Sequence, residues 1–98
     1  MLFITKLNTN LPIIKRGNAG MITVNKNSYT DTVISFSGFS TPPAVLAYFE
    51  SGSTGYGMGS LFCVVNNVTK TGATIRVYSA DGTSDKRTPT LFWIAIGY

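Results

Sequence analysis

Apolar and polar residues alternate over short runs in this chain, and glycine, proline and asparagine separate the runs. The cleanest alternation spans Ala73 to Ser79, where Ile75 and Val77 take one face and Thr74, Arg76 and Tyr78 the other. Its predicted partner is the apolar run Ser60 to Val68. Thr69-Lys70-Thr71-Gly72 joins the two as a hairpin turn in which Gly72 suits a positive φ. In Ala44 to Glu50, Val45, Ala47 and Phe49 oppose Leu46, Tyr48 and Glu50; in Asp31 to Ser37, Thr32, Ile34 and Phe36 oppose Val33, Ser35 and Ser37. Gly20 to Asn25 reads as a short strand, and Met1 to Leu7 alternates loosely. Asn8 to Pro12, Lys15 to Gly20 and Ala80 to Pro89 read as turns or loops. Phe39, between Gly38 and the Pro42-Pro43 pair, is placed to fold back on the core. No segment carries the 3.6-residue period of a helix, so the pattern predicts an all-β chain, an antiparallel β-sandwich of about six strands.

The final run, Leu91 to Tyr98, departs from the half-wet pattern of the others. Leu91, Trp93, Ala95 and Gly97 form one face; Phe92, Ile94, Ile96 and Tyr98 form the other, and neither face is polar. One face belongs to the core. The other needs cover too, and few elements of the chain remain to provide it, so Phe92, Ile94, Ile96 and Tyr98 are expected at a subunit interface.

Composition points the same way. Hydrophobic residues make up 44% of the 98 residues and charged ones only 12%, about half the usual charged share. A surface that short of charge is expected to be partly hidden in an assembly. The net charge of +4 is scattered, with Lys15-Arg16 and Lys86-Arg87 the only adjacent basic pairs, so no basic stripe for nucleic acid is expected. No apolar run approaches the length of a membrane span, and no insertion into a membrane is expected.

The chain has no histidine and one cysteine, Cys63. That removes the usual catalytic triad and most zinc sites, and no enzyme, metal site or cofactor is expected. Cys63 lies in an apolar run and reads as a small buried hydrophobe. Binding chemistry is the more promising search. Tyr56, among the glycines of Ser51 to Gly59, is either the aromatic tip of a ligand loop or part of a flexible connection. Arg76 and Tyr78 are either a polar and aromatic pair for ligand or a cross-strand pair covering the surface. Asp81, Asp85, Lys86 and Arg87 complete the candidate binding residues, on the loop before the last strand.

Three motifs in order carry a resemblance: Val33-Ile34-Ser35-Phe36 with Phe39-Ser40-Thr41-Pro42-Pro43-Ala44-Val45, then Val68-Thr69-Lys70-Thr71-Gly72, then Trp93-Ile94-Ala95-Ile96-Gly97. Residues 20 to 98 resemble the H-type lectin fold and the related tip domains of bacteriophage tail fibres and minor tail proteins. The phage type is closer in style, in the hairpin Thr71-Gly72-Ala73-Thr74-Ile75-Arg76-Val77 and in the ending. Residues 1 to 19 fall outside the likeness, as an extra strand or a remnant of a fibre shaft. The resemblance implies a six-stranded sandwich assembling as a homotrimer, with sugars held near subunit boundaries. The lectins carry aromatic and histidine side chains after the second hairpin strand, where this chain has Ser79-Ala80-Asp81-Gly82, so it is the architecture that transfers. The expected role is a receptor-binding tip in the virion or outside the cell, attached to a bacterial surface polysaccharide or other glycan. The net positive charge would favour anionic polymers. A trimerisation or capping module of a fibre, and a cellular sugar-binding lectin, are the alternatives.

Overall fold

A computed structural model describes residues 11–50, 60–80 and 86–98. They form eight antiparallel strands: β1 (Ile13–Met21), β2 (Val24–Asn25), β3 (Tyr29–Ser35), β4 (Ala44–Glu50), β5 (Leu61–Asn66), β6 (Gly72–Ser79), β7 (Lys86–Arg87) and β8 (Thr90–Gly97). Six of them build two three-stranded sheets, sheet I in the order β1-β8-β4 and sheet II in the order β3-β6-β5, while β2 and β7 pair with each other. The chain is therefore all-β and antiparallel, as the alternation predicts.

Inward-facing residues of the two sheets meet in one core. Sheet II contributes Ile34, Leu61, Ala73, Ile75 and Val77; sheet I contributes Leu91, Trp93 and Ala95; Val24 of β2 and Phe39 join them. Phe39 does plug the core, its ring edge-on to Phe36 at 5.5 Å between centroids. The alternation read for β4 and β6 holds position by position, with Ile75 and Val77 fully buried.

Two local readings that turn on glycines need correction. Lys15 to Gly20 is strand instead of loop: β1 pairs with β8 from Ile13 opposite Gly97 to Met21 opposite Thr90. Edge strands are often polar, and Gly17 is there because the Trp93 indole lies over it, 2.6 Å from where a Cβ would be. The register slips between Asn18 and Gly20, where the Asn18 side-chain oxygen accepts the Gly20 N–H at 2.7 Å and so satisfies the bulged backbone. The second correction concerns the hairpin. Asn67, with φ of 54°, takes the left-handed conformation there, and Gly72 has no positive φ. Gly72 is instead required by crowding, because a Cβ would meet the Ile34 carbonyl oxygen at 2.5 Å. Backbone cannot swing aside as a side chain can. Gly72→Ala is therefore expected to cost about 1–3 kcal/mol, read as a lowered urea midpoint at unchanged slope; an unchanged midpoint would refute the close approach.

Cys63 lies on the inward face of β5, half-buried, with its Sγ donating to the Ala47 carbonyl at 3.7 Å. Burial pushes its thiol pKa up, which keeps it protonated and slow to react.

Candidate functional site

Strand register places one row of residues across each sheet, and directly paired residues share a face. On the outer face of sheet II the first row is Tyr29, Tyr78 and Phe62; the second is Asp31, Arg76 and Val64. The three rings of the first row touch. Phe62 and Tyr78 stack at 5.0 Å with planes 13° apart, and Tyr29 tilts against Tyr78 at 5.7 Å. Tyr29 is 49% exposed and Phe62 52%, a large aromatic presentation to water for a sheet face.

Arg76 ties the second row to the first. Its Nε donates to Asp31 Oδ1 at 2.7 Å and its Nη2 to Asp31 Oδ2 at 2.9 Å, a two-pronged pair. The guanidinium also lies 3.8 Å from the centre of the Tyr29 ring, within cation–π range. Hydrogen bonding to Asp31 first, and to Tyr78 second, raises the Arg76 pKa further above its ordinary value. The same hydrogen bond from Arg76 holds the Asp31 carboxyl below the usual carboxylate range, against a smaller opposing effect of desolvation.

A pH prediction follows from the sign of the Asp31 shift. A carboxyl whose pKa is lower when folded contributes stability above its unfolded pKa, and that stability is lost as pH falls through the folded value. The Tyr29 environment, followed by near-ultraviolet circular dichroism, should hold steady down to about pH 4 and change only in stronger acid. Asp31→Asn should remove that acid transition; its persistence would assign the change to another group.

Beside the aromatic row lies a depression of about 330 Å³, lined by the rings of Tyr29, Phe62 and Tyr78 and by Asn27, Ser28 and Ser79. Backbone bonds brace its walls: Ser79 N–H donates to the Ser28 carbonyl at 2.8 Å and Ala80 N–H to the Ser60 carbonyl at 2.9 Å.

The outer face of sheet I is different in kind. Its rows are Ile14, Ile96 and Ala44; Arg16, Ile94 and Leu46; Asn18, Phe92 and Tyr48. Ile14 is 63% exposed and Leu46 59%, and Tyr48 stacks on Phe92 at 5.3 Å with planes 15° apart. A further row, Met21, Thr90 and Glu50, closes the face, so this is an apolar surface with Arg16 and Glu50 near its margins.

The expected site residues thus separate. Arg76 and Tyr78 sit together on sheet II, joined by Tyr29, Phe62 and Asp31, which the sequence reading did not single out. Phe92, Ile94 and Ile96 share the outer face of sheet I, and Tyr98 follows β8, its carbonyl accepting the Ser40 N–H at 2.8 Å and the Ser40 hydroxyl at 3.0 Å. Lys86 and Arg87 form β7, opposite Asn25 and Val24, instead of an open loop. Tyr56, Asp81 and Asp85 lie outside the described residues. Among the described residues no cluster of His, Cys, Asp and Glu is arranged to hold a metal ion, and no helix is long and apolar enough to cross a membrane.

No protein-family model and no curated protein matches the chain in sequence. Solved structures do resemble it in fold. The tailspike protein gp49 of Pseudomonas phage LKA1 superposes with a TM-score of 0.70 at 24% identity; the match covers 89% of this chain and 15% of that one. An N-truncated R1-type pyocin tail fibre superposes with a TM-score of 0.63 at 18% identity, covering 89% of this chain and 70% of that one. A longer C-terminal portion of the P. aeruginosa R1 pyocin fibre gives the same score and identity over 23% of its length. The chain thus spans a small part of the tailspike and most of the truncated fibre. What it shares with these phage tailspike and pyocin tail-fibre proteins is the fold of one of their parts.

Proposed function

We propose that this chain is a receptor-binding tip domain of a phage tail fibre, held in the virion as a homotrimer and attaching it to a glycan on the bacterial surface. The observation that carries this reading is the exposed Tyr29–Tyr78–Phe62 row with its Arg76–Asp31 pair. Aromatic rings offer flat apolar faces to the C–H face of a sugar, and adjacent polar groups bond its hydroxyls. The fold shared with tailspike and pyocin fibre parts supports the setting. The H-type lectin likeness read in the sequence supports the trimer, in which the outer face of sheet I, with Phe92, Ile94 and Ile96, meets another copy. One such site binds weakly, and three linked copies raise the effective affinity by avidity. Tyr56, Asp81, Asp85, Lys86 and Arg87 remain part of the proposed binding surface as loop and edge contributors.

The test is competition. Purified chain, added to susceptible cells before the particle, should block adsorption in proportion to its occupancy of the surface. Full adsorption in the presence of saturating chain would sink the reading. A second reading, a capping or trimerisation module, is favoured by the apolar outer face of sheet I. Alanine at Tyr29, Phe62 and Tyr78 decides between them: adsorption of particles carrying these changes should fall if the row binds receptor and stay intact if the domain only caps.

A further inference from the structure

We infer that the sheet II site recognises an uncharged saccharide, and that the Asp31–Arg76 pair is what sets this class. The inference rests on the glycan-binding reading and narrows it. The chain as a whole is basic, which by itself would draw an acidic polymer. The site does not share that bias. Asp31 takes up two of the Arg76 donors in a two-pronged bond, and the guanidinium plane lies against the Tyr29 ring. Its charge is therefore matched within the row. Among the described residues, the lining of the adjoining depression has aromatic rings, an amide and hydroxyls and includes no charged side chain. A carboxylate, sulfate or phosphate entering there would shed water without meeting an unmatched cation. A neutral sugar pays no such cost.

The geometry of the row gives the place of contact. Arg76 covers Tyr29, Tyr29 tilts on Tyr78, and Tyr78 stacks on Phe62. The inner face of Phe62 is taken by Tyr78, and the ring is still half exposed, so its outward side is the open end of the stack. Phe62 stands on β5, an edge strand of sheet II, where a sugar ring can add to the stack without displacing any of the described residues. Asn27, in a left-handed turn with φ of 50°, brings an amide to the rim for the hydroxyls. A volume of about 330 Å³ is small for a binding site and suits one or two sugar units of a longer polymer.

The experiment uses the full chain against paired immobilised polysaccharides, dextran, mannan and galactan as neutral probes and alginate and polygalacturonate as acidic ones, at low and high sodium chloride. Wild type should bind a neutral probe with little dependence on salt, since an uncharged sugar forms no ion pair with the protein for salt to screen. Phe62→Ala should weaken that binding about tenfold, and Phe62→Tyr, which keeps the ring, should restore it. Asp31→Asn should add salt-sensitive binding to the acidic probes by freeing the Arg76 charge. Salt-sensitive binding to acidic probes alone, lost in Phe62→Ala, would overturn the neutral class and leave the glycan reading standing. Neutral binding unchanged by Phe62→Ala would overturn the placement of the site. No binding to any probe, by a chain whose melting shows it folded, would overturn both.

Discussion

Trp93→Ala is expected to lower the free energy of unfolding by about 3–5 kcal/mol, a large share of the roughly 5–15 kcal/mol that keeps a domain folded. Trp93 is buried at the middle of β8, the central strand of sheet I. Its ring lies 5.7 Å from Phe36 between centroids, and Phe36 in turn meets Phe39. Removing the indole leaves a cavity between the sheets that rigid strands cannot close. The other side of the ring carries a sharper expectation. Three indole atoms stand 2.6 Å from where a Gly17 Cβ would lie, so Gly17→Ala alone should cost about 1–3 kcal/mol by overpacking. In the Trp93→Ala background the added methyl has room, and the same change should cost little. Chemical denaturation of the two single variants and the double variant reads this coupling directly. Costs that simply add would refute the contact.

Leu46→Glu is expected to dissolve the proposed trimer while leaving the fold intact. In the single chain Leu46 is 59% exposed, so a surface carboxylate there should shift stability by no more than about 0.5 kcal/mol. Leu46 pairs with Ile94 across the strands. When that face meets another copy, the same carboxylate is buried without a partner, at a cost of several kcal/mol, and association should weaken by about a hundredfold or more. Sedimentation velocity over a range of concentrations separates the outcomes. A trimeric wild type and a monomeric variant with an unchanged melting curve support the interface. A variant as trimeric as wild type would move the interface elsewhere, and a monomeric wild type would remove it.

The fold was legible wherever one side of a strand faces oil and the other water. β6 and β4 show this plainly: Ile75 and Val77 go in, Arg76 and Tyr78 go out, and nothing in the tertiary structure overrides the alternation. β8 was legible as a strand from its bulky, β-branched and aromatic run, and its Leu91, Trp93 and Ala95 face does lie in the core. β1 was missed because Lys15, Arg16 and Asn18 stand on an edge strand and its glycines suggest a turn, whereas Gly17 answers to the bulk of Trp93. Gly72 was assigned the wrong physics, a backbone angle in place of a close approach, because residue type alone does not separate the two.

The candidate site was half legible. Tyr78 and Arg76 stood out through the clean alternation of their own strand. Tyr29, Phe62 and Asp31 reach them only through cross-strand register, and register depends on how two hairpins align. Phe62 was hidden within an apolar run, and Asp31 looked like an ordinary surface carboxylate. The signal that would have found them is a count outward from the turns, pairing Tyr78 with both neighbours before judging it as a single residue.

The arrangement of sheet I has a consequence for biosynthesis. Its middle position is filled by β8, which is made after both of its neighbours, and among the described strands β1 and β4 form their ladders with β8 alone. Until it emerges, half of the sandwich has no hydrogen-bonded partner and Phe36 has no tryptophan to pack against. Pairing between segments so distant in the chain is slow, and a copy cut short before Leu91 cannot complete its core at all. A chain cut short there also lacks Phe92, Ile94 and Ile96, so the outer face of sheet I is never formed.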